Sequence, residues 1–226
     1  MKISEIFESI QGEGINVGKP VIFLRTAECN LRCSWCDTKY TWDWNNYDYS
    51  KEVKEIPVKE VYQQLVRSTN KHLVITGGEP LMQQDDLVAL LKFLKPEFYV
   101  EIETNGTVLP TNPLSALVDQ WNVSPKTKNS DNPLELCEKN ECYAFFSKQK
   151  NCYFKYVIES EDDLIEIMTL IEKHHLKKDR ILLMTQARTK EELTKREKTV
   201  LTMSQKNNLG FSPRMHVVRW GNQRGK

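Results

Sequence analysis

Short apolar runs recur along this chain with amphipathic stretches between them, and this alternation limits the fold most strongly. Runs of strand length and composition occupy residues 21–25, 73–76, 98–103, 121–123, 153–158, 181–184 and 215–219. Helical spacing of apolar residues covers residues 58–68, 85–94, 162–174 and 190–204. Strands that alternate with helices build βα units around a parallel sheet. We therefore predict an α/β fold, with the parallel strands in an open sheet or a partial (β/α) barrel and the helices outside.

The chain of 226 residues is long enough for one substantial core. No repeat, low-complexity tract or linker marks a boundary, so we expect a single domain over residues 1–226. Residues 39–55 are aromatic and charged without a clear period, which predicts an irregular insertion. This insertion could line a pocket, but covering apolar surface is the commoner role of such aromatic residues and is the one we favour.

The charge balance argues for a small-molecule partner. Lys and Arg number 32 against 31 Asp and Glu, which gives a net charge of +1. The chain therefore has no overall positive electrostatic field that would attract nucleic acid or an anionic membrane. No apolar run approaches the ~20 residues needed to cross a bilayer, and the N-terminus lacks a signal-peptide pattern. We therefore expect a cytoplasmic protein that binds neither nucleic acid nor membrane.

Six cysteines in a reducing compartment are more often metal ligands than disulfides. They fall into two groups of three. Cys137, Cys142 and Cys152 have the spacing Cys-x4-Cys-x9-Cys, which matches no ligand pattern. We interpret this second group as structural or incidental thiols, with a second metal site as the less favoured alternative.

The first group, Cys29, Cys33 and Cys36, lies in one loop after the first predicted strand. Three thiolates at this spacing can reach three corners of one [4Fe–4S] cubane, whereas a structural zinc site needs a fourth Cys or His. No fourth ligand is evident nearby, which leaves one iron open to a small molecule. A zinc loop completed from a distant segment, or three unrelated thiols, are the alternatives.

Further candidates follow other predicted strands, where the carboxyl ends of parallel strands share one rim. Gly78 and Glu79 follow the second strand, and a glycine turn there permits close approach of a ligand, with Glu79 as an acceptor for an ammonium group. Polar residues at 101–106 suit a ribose or an adenine, and residues 124–126 and Gln186 follow later strands. Taken alone, the Gly-Gly-Glu-Pro segment is most often only a turn, and residues 101–106 and 124–126 are equally typical of strand capping and turn formation.

The segment Cys29-Asn-Leu-Arg-Cys-Ser-Trp-Cys36 resembles the signature of the radical S-adenosylmethionine superfamily. The resemblance implies that S-adenosylmethionine occupies the open iron and is cleaved reductively to a 5′-deoxyadenosyl radical, which abstracts hydrogen from the substrate. The radical arises on the cofactor, so no catalytic side chain is expected. The cofactor-binding residues are expected to be Trp35, Cys36, Asp37, Gly78, Glu79, Glu103, Asn105, Ser124, Pro125, Lys126 and Gln186.

Further segments narrow the resemblance to the 7-carboxy-7-deazaguanine synthase family along nearly all of the chain. They are Glu8-Ser-Ile-Gln-Gly-Glu-Gly14, Arg25, Cys36-Asp-Thr38, Ser124-Pro-Lys126 and His216-Val-Val-Arg-Trp-Gly221. The resemblance implies ring contraction of 6-carboxy-5,6,7,8-tetrahydropterin to 7-carboxy-7-deazaguanine with loss of ammonia, in queuosine biosynthesis. It also implies a homodimer, regenerated S-adenosylmethionine, and an electron donor such as flavodoxin or ferredoxin.

By the same resemblance, the substrate is held by Ile10, Gln11, Gly12, Arg25 and Thr76, and Thr38 coordinates Mg²⁺. The residue types suit these roles. The Arg25 guanidinium offers paired donors to a carboxylate, and the Gln11 amide can both donate and accept at the edge of a pterin. Mg²⁺ prefers oxygen ligands, although a lone Thr more often caps a helix.

Two other functions stay open at this point. A glycyl-radical activase of the same superfamily shares the cysteine loop and the Gly-Gly-Glu-Pro turn, but Arg25, Gln11 and Thr38 favour the synthase. A non-catalytic iron–sulfur or zinc protein would require a fourth protein ligand at the open position.

Overall fold

The structure is a computed structural model that describes residues 1–221 and 223–226. Those residues contain nine strands: β1 (Lys2–Ile10), β2 (Pro20–Thr26), β3 (Lys54–Glu55), β4 (His72–Gly77), β5 (Tyr99–Thr104), β6 (Gln120–Val123), β7 (Cys152–Ile158), β8 (Ile181–Thr185) and β9 (Gly210–Ser212). They also contain nine α-helices: α1 (Tyr49–Glu52), α2 (Val58–Val66), α3 (Gln84–Leu94), α4 (Asn112–Ser115), α5 (Leu134–Cys137), α6 (Asn140–Phe146), α7 (Glu161–Lys173), α8 (Lys190–Lys206) and α9 (Met215–Trp220).

All nine strands of the described chain belong to one sheet, in the order β3-β1-β2-β4-β5-β6-β7-β8-β9. From β2 to β9 every neighbouring pair is parallel, whereas β1 runs antiparallel to both β2 and β3. The predicted α/β fold, a partial barrel of parallel strands with helices outside, is confirmed. Strands β2 and β4 to β8 each lie within one residue of their predicted ends.

The helices begin where their sequences satisfy the first backbone N–H groups. Ser160 caps α7 and Thr189 caps α8, and each pairs with an acidic residue three positions later in a capping box. These two helices and α2 and α3 correspond to the four predicted helices. Their apolar faces pack against one side of the sheet around buried residues such as Leu24, Ile75 and Leu90.

The opposite side of the sheet is partly polar, which is unusual for a buried surface. Alternate residues of the strands point to this side, and near β2 they form a small apolar cluster of Val21, Phe23 and Val74. Further along the sheet the same side carries Glu101, which is fully buried. Glu101 accepts hydrogen bonds from Gln11 Nε2 at 2.8 Å and from Asn16 Nδ2 at 2.7 Å. Such groups stay buried only with their hydrogen-bond partners in place, so this side of the sheet is built to hold fixed polar side chains.

Several elements differ from the sequence-based prediction. Residues 215–219 were predicted to form a strand, which is wrong, because they form helix α9, whose Val217 packs on Ala187 and Leu193. Strand β1 was missed because the register shift between Ile3 and Glu5 breaks the alternation that identifies strands. Strand β9 is only three residues long. The 39–55 segment contains α1 and β3, so it is only partly irregular.

Across the described parts of the chain, no helix is both long and apolar enough to traverse a membrane.

Candidate active site

A cavity opens at the carboxyl ends of the parallel strands and collects most of the residues predicted from the sequence. Its lining includes Ile10, Gln11, Gly12, Arg25, Cys29, Cys33, Trp35, Cys36, Asp37, Thr38, Thr76, Gly78, Glu103, Asn105, Ser124, Lys126 and Gln186. Of the predicted site residues, which all belong to the described chain, Glu79 and Pro125 lie outside this lining. Segments that are distant in sequence therefore meet around one space, as the shared rim of the strands predicts.

The cysteine loop forms one wall of the cavity. Cys29, Cys33 and Cys36 are free thiols that pack together with Leu31 and Cys137. Burial raises the pKa of the Cys29 thiol to about 12, which keeps it protonated until a metal binds. Within residues 1–221 and 223–226, no group of three or more His, Cys, Asp or Glu is arranged to hold a metal ion. The fit of the three thiols to an iron–sulfur cubane rests instead on their spacing in the loop and on their shared packing.

The glycine turn after β4 lies directly against the backbone of the cysteine loop. A Cβ atom on Gly78 would lie 1.9 Å from the carbonyl oxygen of Glu28, and one on Gly77 would lie 2.2 Å from that of Thr26. Two backbone hydrogen bonds join the turn to the loop, from Gly78 N to Thr26 O at 3.1 Å and from Glu79 N to Glu28 O at 2.8 Å. The glycines thus accommodate the loop itself as well as any ligand beside Gly78.

The carboxylate of Glu79 holds two loops together. It is fully buried and accepts hydrogen bonds from Leu81 N at 3.0 Å, Thr104 Oγ1 at 2.8 Å and Asn105 N at 2.7 Å. Burial raises the pKa of Glu79 although these hydrogen bonds oppose the change. Asn105 in turn donates from Nδ2 to Asn30 Oδ1 at 2.9 Å, which connects the turn after β5 to the cysteine loop. A direct contact between Glu79 and a ligand stays a prediction.

On the side of the cavity nearest β1, a hydrogen-bond chain fixes the predicted substrate residues. Gln11 Nε2 donates to Glu101 Oε1 at 2.8 Å and to Glu103 Oε1 at 3.3 Å, and Gln11 Oε1 accepts from Glu13 N at 3.2 Å. Thr76 Oγ1 donates to Glu103 Oε2 at 2.8 Å. Because donors and acceptors are all paired, the amide of Gln11 has one orientation before any ligand enters.

Arg25 lies on the same wall of the cavity, and contacts with Glu5 and Phe7 hold its guanidinium in place. Its Nε donates to Glu5 Oε2 at 2.9 Å, and Tyr40 OH donates to the same oxygen at 2.8 Å. The guanidinium carbon lies 5.8 Å from the centre of the Phe7 ring. The guanidinium of Arg224 stacks on Tyr40 at 3.7 Å and lies 3.3 Å from Glu5. These contacts present the Arg25 fork to the cavity in a fixed direction.

Sequence reasoning missed a buried ionic network on the same cavity. Lys155 pairs with Glu13 and lies 3.9 Å from Glu103. Arg214 donates to Glu13 Oε1 at 3.1 Å and to Asp37 Oδ2 at 2.5 Å. Burial alone would lower the pKa of Lys155, but Glu13 and Glu103 outweigh it and raise that pKa. The pKa of Glu13 is lowered, because Lys155 and Arg214 outweigh the cost of burying its charge.

The sequence held only weak signals for this network. Glu13 stands within the Gln-Gly-Glu-Gly segment, and Lys155 is a single lysine in an otherwise apolar strand. Arg214 lies just before the His216-Val-Val-Arg-Trp-Gly221 segment that carries the family resemblance, but nothing in that segment indicates an ionic contact with Glu13. His216 also lines the cavity, with its Nε2 atom 3.7 Å from Glu13.

Comparison with known proteins agrees with this geometry. The family model of the Radical SAM superfamily matches residues 23–195, so the fold and the cysteine loop belong to that class of protein. The chain is 36% identical over 227 residues to the 7-carboxy-7-deazaguanine synthase of Pyrobaculum aerophilum, covering 100% of this chain and 97% of the relative. It is 30% identical to that of Halobacterium salinarum, covering 97% and 90% respectively. The chain belongs to the 7-carboxy-7-deazaguanine synthase family.

A solved structure supports the same assignment. The crystal structure of QueE from Escherichia coli matches with a TM-score of 0.70 and 26% identity, covering 95% of this chain and 94% of that one. The resemblance stated from the motifs is confirmed, and the relatives do not favour an activase or a non-catalytic metal protein. Membership of the superfamily implies a [4Fe–4S] cluster and S-adenosylmethionine as cofactors.

Proposed function

We propose that this protein is a 7-carboxy-7-deazaguanine synthase, which converts 6-carboxy-5,6,7,8-tetrahydropterin to 7-carboxy-7-deazaguanine with loss of ammonia. One observation carries the proposal: Arg25, Gln11 and Thr76 line the same cavity as the three cysteines. A carboxylated pterin needs a cation for its carboxylate and paired donors and acceptors along its ring edge. Arg25 supplies the cation. Both Nε2 hydrogens of Gln11 are donated to Glu101 and Glu103, so Gln11 offers the ring edge the remaining lone pair of Oε1, together with the acceptor capacity of the Thr76 hydroxyl.

When bound, the cluster and S-adenosylmethionine supply the radical chemistry, and the side chains of this chain bind, orient and shield the reactants. Cys29, Cys33 and Cys36 hold the cluster. Eleven residues are proposed to contact S-adenosylmethionine. Nine of them line the cavity: Trp35, Cys36, Asp37, Gly78, Glu103, Asn105, Ser124, Lys126 and Gln186. The other two, Glu79 and Pro125, lie outside that lining. Lys126 Nζ lies 5.6 Å from the Trp35 ring centre and donates to Ser124 Oγ at 2.8 Å, so its ammonium group is held in place on this wall.

On the substrate side, Ile10, Gln11 and Gly12 form the edge that receives the pterin ring. Gly12 leaves room for the His216 imidazole, because a Cβ atom there would lie 2.4 Å from His216 Nδ1. The Glu101 and Glu103 carboxylates keep the Gln11 amide oriented. Preorganised contacts of this kind raise affinity and place the reacting atoms without an ordering cost during binding.

We propose Mg²⁺ as a further cofactor, with Thr38 as its protein ligand. The Thr38 hydroxyl lies 3.5 Å from Cys36 Sγ and borders the cavity. Mg²⁺ keeps several waters and takes few protein ligands, so one hydroxyl suffices if substrate oxygens complete the coordination. A one-electron donor such as flavodoxin or ferredoxin and a homodimeric state complete the proposal.

The experiment that tests the function supplies the anaerobically reconstituted and reduced protein with S-adenosylmethionine and carboxytetrahydropterin. We expect 7-carboxy-7-deazaguanine, with S-adenosylmethionine not consumed in proportion to product. Cleavage to 5′-deoxyadenosine without any deazaguanine would favour the activase alternative. Failure to form 5′-deoxyadenosine under any reducing condition would exclude a radical enzyme. An Arg25→Met variant serves as the matched control, because it should keep the iron but lose affinity for the carboxylated substrate.

A further inference from the structure

Each of the three loop thiols receives a hydrogen bond from an N–H group. Leu31 N lies 3.4 Å from Cys29 Sγ, within the loop itself. Asn105 Nδ2 makes a longer contact with the same sulfur, at 3.9 Å. The two shorter side-chain contacts are with the other sulfurs: Asn132 Nδ2 lies 3.3 Å from Cys33 Sγ, and Trp42 Nε1 lies 3.4 Å from Cys36 Sγ. The backbone donor is available to any residue at position 31 other than proline, whereas the two side-chain donors depend on residue type.

The orientation of the Asn132 amide is determined by its neighbours. Its Oδ1 accepts from the backbone N of Arg32 at 2.8 Å, and a backbone N–H cannot accept a hydrogen bond. The Nδ2 group must therefore point the other way, towards Cys33 Sγ and the Ser130 hydroxyl at 3.1 Å. Ser130 O also accepts from Ser34 N at 3.1 Å, so the segment before α5 is anchored on the cysteine loop. Asn132 is 8% exposed as a residue, so water competes little for this bond.

Trp42 belongs to the segment that follows the loop and donates to Cys36. An indole nitrogen can only donate, so this contact is favourable only when sulfur accepts. A thiolate is a stronger acceptor than a thiol because a charged partner shortens and strengthens a hydrogen bond. The guanidinium of Arg32 lies 4.9 Å from the Trp42 ring centre and packs the indole against the loop. Both side-chain donors are thus directed at atoms that become negative when the cluster binds.

We infer that Asn132 and Trp42 are positioning residues that raise the reduction potential of the cluster. Accepting an electron adds negative charge to the iron–sulfur unit, and part of that charge lies on the cysteine sulfurs. N–H donors on those sulfurs stabilise the reduced state more than the oxidised one, which is a known means of setting the potential of such clusters. The inference rests on the proposed function only in requiring that the cysteines hold a [4Fe–4S] cluster.

The test compares Trp42→Phe with Trp44→Phe in anaerobically reconstituted full-length protein without substrate. Both changes remove one indole N–H and keep an aromatic ring, but Trp44 packs on Tyr49 at 4.9 Å, away from the cysteines. Potentiometric titration followed by electron paramagnetic resonance measures the midpoint potential. In Trp42→Phe we expect the ratio of reduced to oxidised cluster at a fixed potential to fall about tenfold, a change of about 59 mV for one electron.

A second variant tests the other donor. Asn132→Leu keeps the side-chain volume, removes the donor to Cys33, and should move the potential in the same negative direction. Since the two donors contact different sulfurs, the double variant should move the potential further in the same direction than either single variant. Trp44→Phe should leave the potential unchanged. If the single variants contain a full complement of iron and their potentials match the wild type, the inference is overturned while the proposed function stands.

Variants that fail to load iron are replaced by a measurement on the wild-type chain. Protein labelled with ¹⁵N at the indole nitrogen should show a ¹⁵N hyperfine coupling to the reduced cluster, and Trp44→Phe should retain it. Trp35 is the other tryptophan of the loop, but its Nε1 is directed to Asn129 Oδ1 at 3.2 Å. Absence of the coupling would overturn the inference. A wild-type chain that binds no iron would overturn both proposals, and iron analysis identifies that case.

Discussion

Replacing Gly78 with alanine should separate cluster binding from folding. The new Cβ would lie 1.9 Å from Glu28 O and 3.0 Å from Cys29 N, whereas ordinary contact begins at 3.4 Å, so the backbones must separate by about 1.5 Å. Gly78 does not have a positive φ, so the contact rather than the dihedral angle opposes the change. Overpacking of this kind costs roughly 1–3 kcal/mol, and the reduced freedom of the unfolded chain offsets about 0.4–1 kcal/mol of it.

The backbone that must move belongs to Glu28, which directly precedes Cys29, the first proposed cluster ligand. Moving Glu28 weakens its 2.8 Å hydrogen bond from Glu79 N and displaces Cys29. The two stability terms leave a net loss of at most about 2.6 kcal/mol. A misplacement of about 1 Å can cost roughly a hundredfold in rate, so iron content and activity should fall much more than stability does. The assays are urea denaturation of the iron-free protein, followed by iron content and the visible absorbance of the reconstituted protein.

Gly210→Ala is the matched control for this change. Its Cβ would meet Leu182 Cδ2 at 2.5 Å, the movable end of a side chain far from the cysteine loop. Because that side chain can move, we expect a smaller loss of stability in Gly210→Ala than in Gly78→Ala, with a full complement of iron. If Gly78→Ala loads iron as the wild type does, the reasoning that the glycine turn positions Cys29 is refuted.

Three further predictions test the cavity. Glu13→Gln should lower the free energy of unfolding at pH 7 and make it depend less on pH in the acid range. The folded pKa of Glu13 lies below its ordinary 4.5. Its contribution to stability is therefore present above pH 4.5 and is lost as the pH falls towards the folded pKa. Each pH unit by which folding lowers a pKa corresponds to about 1.4 kcal/mol of stability. Urea denaturation of iron-free protein from pH 7 to pH 3 measures this loss, and parallel curves for the variant and the wild type would contradict it. Arg25→Lys should raise the KM for carboxytetrahydropterin about tenfold to a hundredfold because a lysine cannot form the paired contact, with 5′-deoxyadenosine formation without substrate as the control. Thr38→Val should abolish stimulation by Mg²⁺ in steady-state assays at equal iron content, and stimulation that persists would remove Thr38 as a ligand.

Much of the fold could be predicted from local patterns. Strands β2 and β4 to β8 are short runs of apolar residues bounded by polar turns, and helices α7 and α8 begin at capping boxes. Local information failed where tertiary contacts override propensity. Residues 215–219 contain two consecutive valines, which favour a strand, yet they form α9 because Val217 is buried against Ala187 and Leu193.

The candidate site divides in the same way. Cys29, Cys33, Cys36, Gly78 and the family resemblance follow from residue spacing, because ligands that lie in one loop are set by the chain itself. The tertiary structure alone revealed the pairing of Lys155 with Glu13, which is 142 residues away.

By itself, then, the sequence determined the parallel sheet, the cysteine loop and the family. Only the tertiary structure decided that Glu79 ties two turns together, that Arg214 joins Glu13 to Asp37, and that Asn132 donates to Cys33. A motif reflects contacts between residues that are close in sequence. The role of a buried charge or an N–H donor depends instead on partners that are distant in sequence and that folding of the sheet brings within a few ångströms.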